Sequence, residues 1–516
     1  MATMPYFVLS PATILSTLGL MRGPDPTVAT PAEDWRTAKV DVIIPALNEE
    51  DHIVLCLASL LRQTLRPRQI ILVDDGSTDR TLEVAEAFCR FHHLNFVAIR
   101  RRAPIGKTPT IKRQARELDS DVEFILDADT VLESDNYIER TVRELYQGIG
   151  IASACGTILP LRKKDRRRWQ DAPEMRQFRL RFPAQRRQRP HQWLHDFATG
   201  VTNLYREVLY IFLQRFVYHG QMVFFGTITN PVGCAVAYRR KYVQRLFDHF
   251  GPLLGDDLTN SEDIFIGLAM LNEGYRNIQL IDVTARTVEP EVQKLPQQVY
   301  LWSSSFLQSC YYFDALVRSP FASLRRRLRS RRRTNQGALA VKKTQSALAY
   351  SGAGSAGLGF PLAYGISVEA RAAKPLEPWT GHGGATDLER SGPSGSERRL
   401  IAEPYRQPFG RDITRRLGRP AGWMLLMAAV EKVFFPTALI IMILLRNWEG
   451  LAVTIAAETA IGLIVLAIIM KGRRLEYLAK GLAVVPIRYG LMTSELVTLA
   501  RFGTDLWITN NRRWRK

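Results

Sequence analysis

Cysteine is scarce in this chain, and the few cysteines stand far apart. The 516 residues include five, at positions 56, 89, 155, 234 and 310, with no Cys-x-x-Cys pair among them. Disulfide scaffolds and structural zinc sites need closely spaced cysteines or a histidine-rich partner segment. The sequence therefore argues against both, and it favours reduced thiols in a cytoplasmic setting.

Extremes of composition are absent as well. Hydrophobic residues make up 46% of the chain and charged residues 23%, which is the ordinary balance of a globular protein. That balance argues against a wholly disordered chain and against a transporter built mainly from membrane helices. No internal repeat is visible, and the length allows two to four domains at roughly 100–200 residues each.

The excess of positive charge is informative about partners. Lysine and arginine number 70 against 50 aspartates and glutamates, which gives a net charge of +20. Such an excess indicates an anionic partner, which is nucleic acid, anionic lipid or a phosphorylated substrate. One strongly basic stretch, residues 161–190, is either a contact for phospholipid or an anionic polymer, or a solvated loop or helix.

Two long apolar runs near the C-terminus predict a membrane hairpin. They cover residues 423–445 and 451–470, each near the ~20 residues that cross a ~30 Å hydrocarbon core. Basic residues flank the outer ends, so the positive-inside rule places both ends in the cytoplasm. A pair of buried core helices is the alternative. Glu431, Lys432 and Glu458 interrupt the runs and either line a polar path or neutralise one another near an interface.

Other segments are predicted to touch the bilayer. Residues 6–21 are apolar but lack a basic leader, which is typical of an N-terminal membrane or interfacial segment rather than a secretory signal. Aromatic residues recur at helical spacing over 299–317 and precede an arginine cluster, as in a helix lying over anionic lipid. Residues 482–500 suit an interfacial or re-entrant placement. For these last two segments the core face of a soluble helix is the alternative.

Composition divides the chain into five segments. Residues 334–420 are rich in glycine, alanine, serine, proline and arginine, which predicts a flexible insertion. The predicted plan is an N-terminal membrane or interfacial segment (1–37), a cytoplasmic α/β domain (38–295), an interfacial helix with a basic segment (296–333), the insertion (334–420), and the transmembrane hairpin with a membrane-associated tail (421–516).

The segment 38–295 alternates predicted strands with predicted helices. Short runs rich in β-branched residues predict strands at 40–45, 69–75, 95–100 and 122–126. This order predicts an α/β fold with a mostly parallel sheet, in which ligands bind beyond the carboxyl ends of the strands. Several acidic residues lie at those ends and stabilise structure poorly there, so a functional site is the better explanation. The residues at the strand ends are Pro45, Asp74, Asp75, Asp127 and Asp129.

Three motifs at these strand ends resemble glycosyltransferase family 2, whose members have the GT-A fold. They are VIIPALNEE at 42–50, VDDGSTD at 73–79 and LDAD at 126–129. Two later segments, TNSED at 259–263 and QVYLW at 298–302, resemble motifs of membrane-embedded members such as hyaluronan, chitin and cellulose synthases. The resemblance of the soluble part covers about residues 38–315.

The resemblance implies a sugar-nucleotide site built on carboxylates. Asp129 would be the more direct metal ligand, and Asp127 would contact both the metal and the nucleotide sugar. Their hard oxygens suit Mg²⁺ or Mn²⁺, and such an ion neutralises the charge of a leaving diphosphate. The other substrate-binding residues implied by the motifs are Pro45, Asn48, Glu49 and Asp75 near the uracil and ribose, and Lys107 near the diphosphate.

An inverting transfer to a hydroxyl group also needs a carboxylate that takes the acceptor proton. By resemblance this base is Asp263, supported by Glu262, at the start of a helix predicted over 264–273. Asp256 and Asp257 form a rival motif that resembles the hyaluronan synthase form. A structural alternative is that Glu262 and Asp263 cap the helix.

The motif on the acceptor side departs from the family pattern. Gln298 and Trp302 are expected to contact substrate, with Trp302 stacking on an acceptor sugar. Leu301 stands where the family has arginine, so one guanidinium contact to the diphosphate is missing. Arg318 or a residue from another segment is the candidate replacement, and the departure leaves open whether transfer is processive.

The combined expectation is an inverting, metal-dependent glycosyltransferase, multi-pass in the inner or plasma membrane, with a cytoplasmic catalytic domain. It would transfer a sugar from a UDP-sugar to a growing polysaccharide, and the alternative is transfer of one sugar to a lipid acceptor. A membrane-tethered protein that binds nucleic acid or another polyanion is a third class, against which the intact carboxylate motifs argue. The expected partners are therefore the UDP-sugar, a polysaccharide or glycolipid acceptor and anionic lipid, without nucleic acid.

Overall fold

A computed structural model gives the fold of most of the chain. It describes residues 11–22, 28–29, 34–147, 150–182, 192–254, 261–321, 325, 399–400 and 420–504. The rival motif at 256–257 lies outside the described residues, and so does the predicted insertion at 334–420 apart from 399–400 and 420. The five cysteines are described and are free thiols, as the sequence predicts.

An eight-stranded sheet forms the centre of the fold. Its order is β3-β2-β1-β4-β7-β6-β8-β5. The strands are, in chain order, β1 (Val40–Ala46), β2 (Gln69–Asp74), β3 (Phe96–Arg100), β4 (Val122–Leu126), β5 (Thr130–Leu132), β6 (Ile151–Pro160), β7 (Ala235–Arg239) and β8 (Arg276–Thr287). Two further strands of two residues each, Val28–Ala29 and Arg399–Leu400, pair with one another in antiparallel fashion.

Helices surround the sheet and continue beyond it. They are α1 (Pro11–Arg22), α2 (Ile53–Leu61), α3 (Thr81–Phe91), α4 (Lys107–Glu117), α5 (Tyr137–Leu145), α6 (Lys163–Gln170), α7 (Pro173–Arg181), α8 (Gln192–Phe212), α9 (Tyr218–Phe225), α10 (Arg240–Leu254), α11 (Glu262–Asn272), α12 (Leu295–Tyr312), α13 (Asp314–Val317), α14 (Pro420–Leu444), α15 (Trp448–Ile469), α16 (Arg474–Ala483) and α17 (Val485–Gly503). A π-helical turn, Leu213–Val217, joins α8 to α9.

The α/β prediction is confirmed, but the sheet is mixed rather than mostly parallel. β3, β2, β1 and β4 are parallel neighbours, as the alternating order requires. β7 then pairs antiparallel with both β4 and β6, and β5 pairs antiparallel with β8. The physical reason is that β7 returns to the sheet after a long helical excursion over 192–225, so no single crossover helix fixes its direction.

The parallel half of the sheet is buried on both faces. Ile43 and Ile44 are adjacent in β1 and point to opposite faces, and both have no exposed surface. The same holds for Phe124 and Ile125 in β4. Near-continuous apolar runs are what a strand covered on two sides requires. This rigid core carries the loops that follow each strand.

The N-terminal helix α1 packs closely on α9. Gly19 and Gly220 face each other there, and a Cβ atom on Gly220 would lie only 2.7 Å from the Cα atom of Ser16. The twelve residues of α1 span about 18 Å at 1.5 Å per residue, which is short of a ~30 Å hydrocarbon core. α1 also contacts α14, one of the two long apolar helices near the C-terminus. An interfacial placement of the N-terminal segment stays a prediction.

Two helices are candidate membrane spans by length and composition. They cover residues 422–444 of α14 and 448–469 of α15. Only 19% and 17% of their most apolar stretches are buried within the chain, which argues against the alternative of two buried core helices. Glu458 of α15 contacts Arg488 and the hydroxyl of Tyr489, both on α17. Its charge is therefore balanced from another helix, a partner that neither sequence alternative included.

The helix predicted to lie over lipid is largely covered by protein. α12 packs between α11 and α17, and its residues 303–306, 308 and 309 are buried. That face belongs to the protein core, as the soluble alternative expected. Contact of α12 with lipid stays a prediction.

Candidate active site

The carboxyl ends of β1, β2 and β4 meet at one edge of the sheet. β1 pairs in parallel with both neighbours, so that Ala46 lies opposite Asp74 and Ile43 lies opposite Ile125. The loops that follow these strands therefore converge on one place. Most of the residues singled out in the sequence lie in these loops or face them.

The loop after β1 is held to the loop after β2. Asn48 has a φ of 58°, a left-handed conformation that asparagine tolerates. Its Oδ1 atom accepts hydrogen bonds from the backbone N–H and the hydroxyl of Thr78 at 2.9 and 3.2 Å. Glu49 lies 2.8 Å from the ring of His52 and is about a quarter exposed, at 26%. Pro45 is the second-last residue of β1, and Asn48 and Glu49 follow the strand. All three predicted residues therefore stand at this edge.

Asp75 is engaged with a neighbouring loop. Its carboxylate accepts hydrogen bonds from the Arg101 guanidinium at 2.8 Å and from the backbone N–H groups of Ile105 and Gly106 at 3.0 and 2.7 Å. Burial opposes its ionisation, but these donors outweigh burial and hold the pKa of Asp75 below its ordinary value. Asp75 thereby fixes the loop that leads into α4, and its contact with a nucleoside stays a prediction.

Lys107 joins two parts of the site. It begins α4 directly after Gly106, whose φ of 97° residues with a Cβ atom rarely adopt. Its ammonium lies 2.7 Å from Asp127, 2.7 Å from Glu262 and 3.1 Å from the carbonyl of Gly233, to which it donates. Burial lowers the pKa of Lys107, but the two carboxylates raise it well above its ordinary value. The side chain therefore stays charged between the two motifs.

The two aspartates after β4 have unequal surroundings. Asp127 is compensated by Lys107. The hydroxyls of Thr130 and Thr287 lie 3.2 and 3.3 Å from Asp129 and donate to it. Burial and the nearby charge of Asp127 raise the pKa of Asp129 to about 8. Asp129 is partly exposed, so a ligand can reach it.

A divalent cation fits this pair of carboxylates. Mg²⁺ is usually bound by one or two carboxylates together with substrate phosphates and water. Asp127 and Asp129 would supply the carboxylates, and a bound cation would favour the ionised form of Asp129, which burial and the charge of Asp127 disfavour. Among the described residues no group of three or more His, Cys, Asp or Glu side chains could hold a metal ion. In a site of this kind substrate phosphates and water commonly supply the remaining ligands.

Asp263 lies in the first turn of α11 and against Gly233. Its carboxylate accepts hydrogen bonds from the Ser261 hydroxyl at 2.5 Å and from the backbone N–H groups of Ile264 and Gly233 at 2.8 and 3.2 Å. Burial and the adjacent charge of Glu262 raise the pKa of Asp263 to about 6. A Cβ atom at position 233 would lie 2.9 Å from the Cβ atom of Asp263, so glycine permits this approach.

Gln298 and Trp302 meet a buried arginine from another helix. Arg206, in the middle of α8, has no exposed surface and donates a hydrogen bond to Gln298. Its guanidinium carbon lies 4.4 Å from the centre of the Trp302 ring, and its Nε atom lies 3.5 Å from Glu289. The guanidinium group of Arg206 therefore contacts the acceptor-side motif, although Leu301 occupies the position where the family pattern has arginine.

Sequence reasoning missed Arg206 and Glu289. The available signals were weak, since Arg206 is one of several polar residues of α8 and Glu289 follows the end of β8 outside any motif. Arg318, the replacement named from the sequence, pairs instead with Asp314 at 3.5 Å on a half-exposed surface. Burial raises the pKa of Glu289 to about 7 despite the neighbouring guanidinium.

A family model decides the nature of this domain. Residues 41–247 match the model described as glycosyl transferase family 2. The match includes β1, β2, β4 and the carboxylates that follow them. The chain carries a family 2 glycosyltransferase domain. The predicted family and the predicted GT-A fold class are thereby confirmed for this part of the chain.

Curated relatives match the glycosyltransferase domain over short stretches. The 4,4'-diaponeurosporenoate glycosyltransferase of Staphylococcus haemolyticus is 32% identical over 122 residues, which cover 23% of this chain and 32% of that protein. The poly-beta-1,6-N-acetyl-D-glucosamine synthase of Staphylococcus epidermidis is 26% identical over 104 residues, which cover 20% of this chain and 25% of that protein. The chain thus matches a third or less of the length of each relative.

A solved structure resembles the chain over most of its length. It is the mannosyltransferase PcManGT from Pyrobaculum calidifontis, in complex with GDP-Man and Mn²⁺. The alignment covers 96% of this chain and 95% of that one, with a TM-score of 0.44 and 14% sequence identity.

The glycosyltransferase domain brings most of the predicted site residues together. Lys107 links Asp127 to Glu262, and Asp263 follows on the same turn of α11. The acceptor-side residues reach this group indirectly. Arg206 contacts Glu289, which follows β8, and Thr287 at the end of β8 contacts Asp129. The roles of these residues in substrate binding and catalysis remain predictions.

Proposed function

We propose that the protein transfers a sugar, with inversion, from a UDP-sugar to a growing polysaccharide at the cytoplasmic face of a membrane, with a divalent cation. The observation that carries this proposal is the position of Lys107. Its ammonium lies 2.7 Å from both Asp127 and Glu262. The side chain of Lys107 therefore connects the predicted donor-binding motif to the motif that contains the predicted base.

The donor side of the site is suited to a diphosphate. Asp129 and Asp127 would hold the cation, because hard oxygen ligands at a strand end suit Mg²⁺ or Mn²⁺. When bound, the cation would neutralise charge that develops on the leaving diphosphate. Lys107 adds a fixed positive charge beside this pair. Pro45, Asn48, Glu49 and Asp75 form the edge on which the nucleoside would lie.

The acceptor side supplies a base. Asp263 is held by three hydrogen-bond donors, and its pKa of about 6 leaves it ionised but basic near neutral pH. A carboxylate in that state can accept the acceptor hydroxyl proton as the new glycosidic bond forms. Glu262 is tied to Lys107 and would therefore act by positioning. Trp302, partly exposed, would stack on a sugar of the acceptor.

Two acceptors are in question, and each has support. The relative named poly-beta-1,6-N-acetyl-D-glucosamine synthase favours a polysaccharide. The relative named 4,4'-diaponeurosporenoate glycosyltransferase favours the alternative, transfer of one sugar to a lipid acceptor. The two candidate spans, α14 and α15, suit either acceptor because both would be handled at a membrane.

The test uses the full-length protein in detergent with membrane lipid extract and a panel of UDP-sugars together with GDP-mannose, in the presence of Mg²⁺ or Mn²⁺. Nucleoside diphosphate release and product mass are measured, with Asp263→Asn as the inactive variant and the exposed Asp171→Asn as the matched control. We expect metal-dependent release that Asp263→Asn abolishes and Asp171→Asn retains. A high-mass product selects the polysaccharide, and a single-sugar lipid product selects the alternative.

Release of nucleoside diphosphate from GDP-mannose, and from none of the UDP-sugars, would support sugar transfer but would show that the proposed donor is wrong. Release that Asp263→Asn leaves unchanged would refute the assigned base. No release from any donor, by protein whose Mn²⁺ and UDP binding is intact, would count against the proposed transfer itself.

A further inference from the structure

Helix α8 carries one apolar stripe along its whole length. Trp193, Phe197, Leu204, Val208 and Ile211 are separated by four, seven, four and three residues. In an α-helix these spacings place all five side chains on one face. The two halves of this face, however, meet different surroundings.

The C-terminal half of the stripe is covered by the end of the second candidate span and by the helix that follows it. Val208 and Ile211 are 7% and 3% exposed, and they belong to one apolar cluster with Leu466 of α15 and Tyr477 of α16. In the π-helical turn directly after α8, Arg215 lies 3.9 Å from the sulfur of Met470, the residue after α15. The stripe therefore runs directly onto the end of a predicted membrane span.

Among the residues that the structure describes, none covers the N-terminal half of the same stripe. Trp193 and Phe197 are 68% and 69% exposed, and the adjacent Leu194 is 47% exposed. Adjoining exposed apolar side chains of this size mark a surface that binds something.

Positive charge borders the uncovered half. Lys163 of α6 forms an ion pair with Asp196 of α8 at 2.8 Å, which fixes the start of α6 beside Trp193 and Phe197. α6 also presents three exposed cations, at positions 164, 167 and 168. Exposed aromatic side chains with a border of lysine and arginine are typical of helices that lie at an anionic membrane surface.

We propose that the N-terminal half of α8, together with α6, forms a second contact with the membrane, which takes anionic lipid headgroups and the upper part of the acyl chains. The proposal rests on the proposed membrane location of α14 and α15. A lipid surface is the occupant because the uncovered half continues the face that already meets the end of α15. The contact would hold the catalytic domain against the bilayer through α8, the helix that also carries Arg206.

The test compares amide hydrogen exchange of residues 192–200 in full-length protein reconstituted at one protomer per nanodisc. One set of discs contains phosphatidylcholine alone, and the other contains phosphatidylcholine with phosphatidylglycerol. We expect slower exchange of 192–200 in the anionic discs and no change in α3, which serves as the internal reference. Near an anionic surface each cation contributes about fivefold to binding. Lys164→Glu combined with Arg167→Glu should therefore reduce the protection by at least that factor.

A second pair of variants tests the apolar part. Trp193→Ser with Phe197→Ser should remove the protection, whereas Val97→Ser, at another exposed apolar residue on the edge strand β3, should retain it. Equal exchange in both kinds of disc would overturn the proposal, and so would protection seen only with two protomers per disc, which would assign the surface to a second copy. Failure of the chain to enter discs would overturn both this proposal and the proposed membrane location. It would not overturn the proposed sugar transfer, which is measured separately by diphosphate release.

Discussion

At the scale of single residues, Asp263 determines the expected pH dependence. Its folded-state pKa of about 6 lies above the ordinary aspartate value because of burial and Glu262. A base works only when ionised, so diphosphate release should rise as pH increases through about 6 and level off above it. The measurement is release by the wild type from about pH 5 to about pH 8.

The control for this pH profile is Asp171→Asn, which should reproduce the wild-type curve. Asp263→Asn should lower the rate by about 10²–10⁴-fold and remove the rise. A wild-type profile that is flat across this range, or a rise that survives in Asp263→Asn, would show that another group takes the proton.

Asp129 is the residue on which metal binding should depend. A ligand that binds the folded state raises its stability, by about 2.7 kcal/mol at a hundred times the dissociation constant. Mn²⁺ with UDP should therefore raise the melting temperature of the wild type, and chelation with EDTA should reverse the shift. Asp129→Asn should lose the shift, and Asp171→Asn should keep it. An unchanged shift in Asp129→Asn would place the cation elsewhere.

The residue scale also shows what sequence could and could not supply. Asp127, Asp129 and Asp263 stand in short motifs, so local order alone was enough to name them as candidates. Arg206 is different, because its meaning comes from two contacts with α12, almost a hundred residues away in the chain. An arginine among the other polar residues of α8 carries no local pattern from which those partners could be predicted.

At the scale of elements, Arg206 and Glu289 fasten α8 and α12 to the end of β8. Removing one member of a buried ion pair leaves the other charge uncompensated, at a cost of about 3–5 kcal/mol. Arg206→Met should destabilise the protein by this amount, whereas Arg206→Met combined with Glu289→Gln should lose less. Thermal unfolding with tryptophan fluorescence measures both, and the exposed Arg176→Met is the control. Equal losses in the single and double variants would show that the pairing contributes nothing.

The packing of α1 on α9 gives another prediction at this scale. A Cβ atom on Gly220 would meet the backbone of Ser16 at 2.7 Å, and neither backbone can yield cheaply. Gly220→Val should therefore displace α1, which limited proteolysis detects as new cleavage within residues 11–22. Gly200→Ala, in open space on α8, should leave α1 protected and be neutral or slightly stabilising. Protection of α1 in Gly220→Val would mean that α1 is held by its other contacts.

Elements were predictable where their pattern is local. The four parallel strands were predicted to within one residue at each end, because each is a short apolar run closed by turn residues. β6, β7 and β8 were not predicted, and their partly antiparallel pairing depends on contacts between distant segments. Likewise α12 was predicted as a helix, but its cover by α17 follows from tertiary packing alone.

At the scale of the whole molecule, the decisive question is whether the hairpin is in a membrane. Ala460 is exposed at the middle of α15, where an arginine costs about 2.5–3.5 kcal/mol on insertion. Ala460→Arg should shift the full-length chain from the carbonate-resistant membrane pellet toward the supernatant or aggregates. Ala103→Arg, at an exposed position of the glycosyltransferase domain, should leave the chain in the pellet. Complete extraction of the wild type by carbonate would contradict the predicted spans.

The overall plan was predictable only in part. The length and apolarity of α14 and α15 identified the hairpin, since both properties are local. The return of α16 onto the catalytic domain was not foreseen. There Glu207 of α8 accepts hydrogen bonds from Tyr477 and Lys480. Arg206 and Glu207 are neighbours, so adjacent residues of one helix contact the acceptor-side motif and the membrane-side helix.

The close approach at Gly233 has a consequence for reading related genes. Because a Cβ atom there would collide with Asp263, a chain that kept every carboxylate but acquired alanine at this position could not hold the proposed base in the same place. Such a paralogue should retain affinity for nucleotide and metal while losing turnover. Position 233, rather than the aspartates themselves, would then be where genomic surveys distinguish active copies from silent ones.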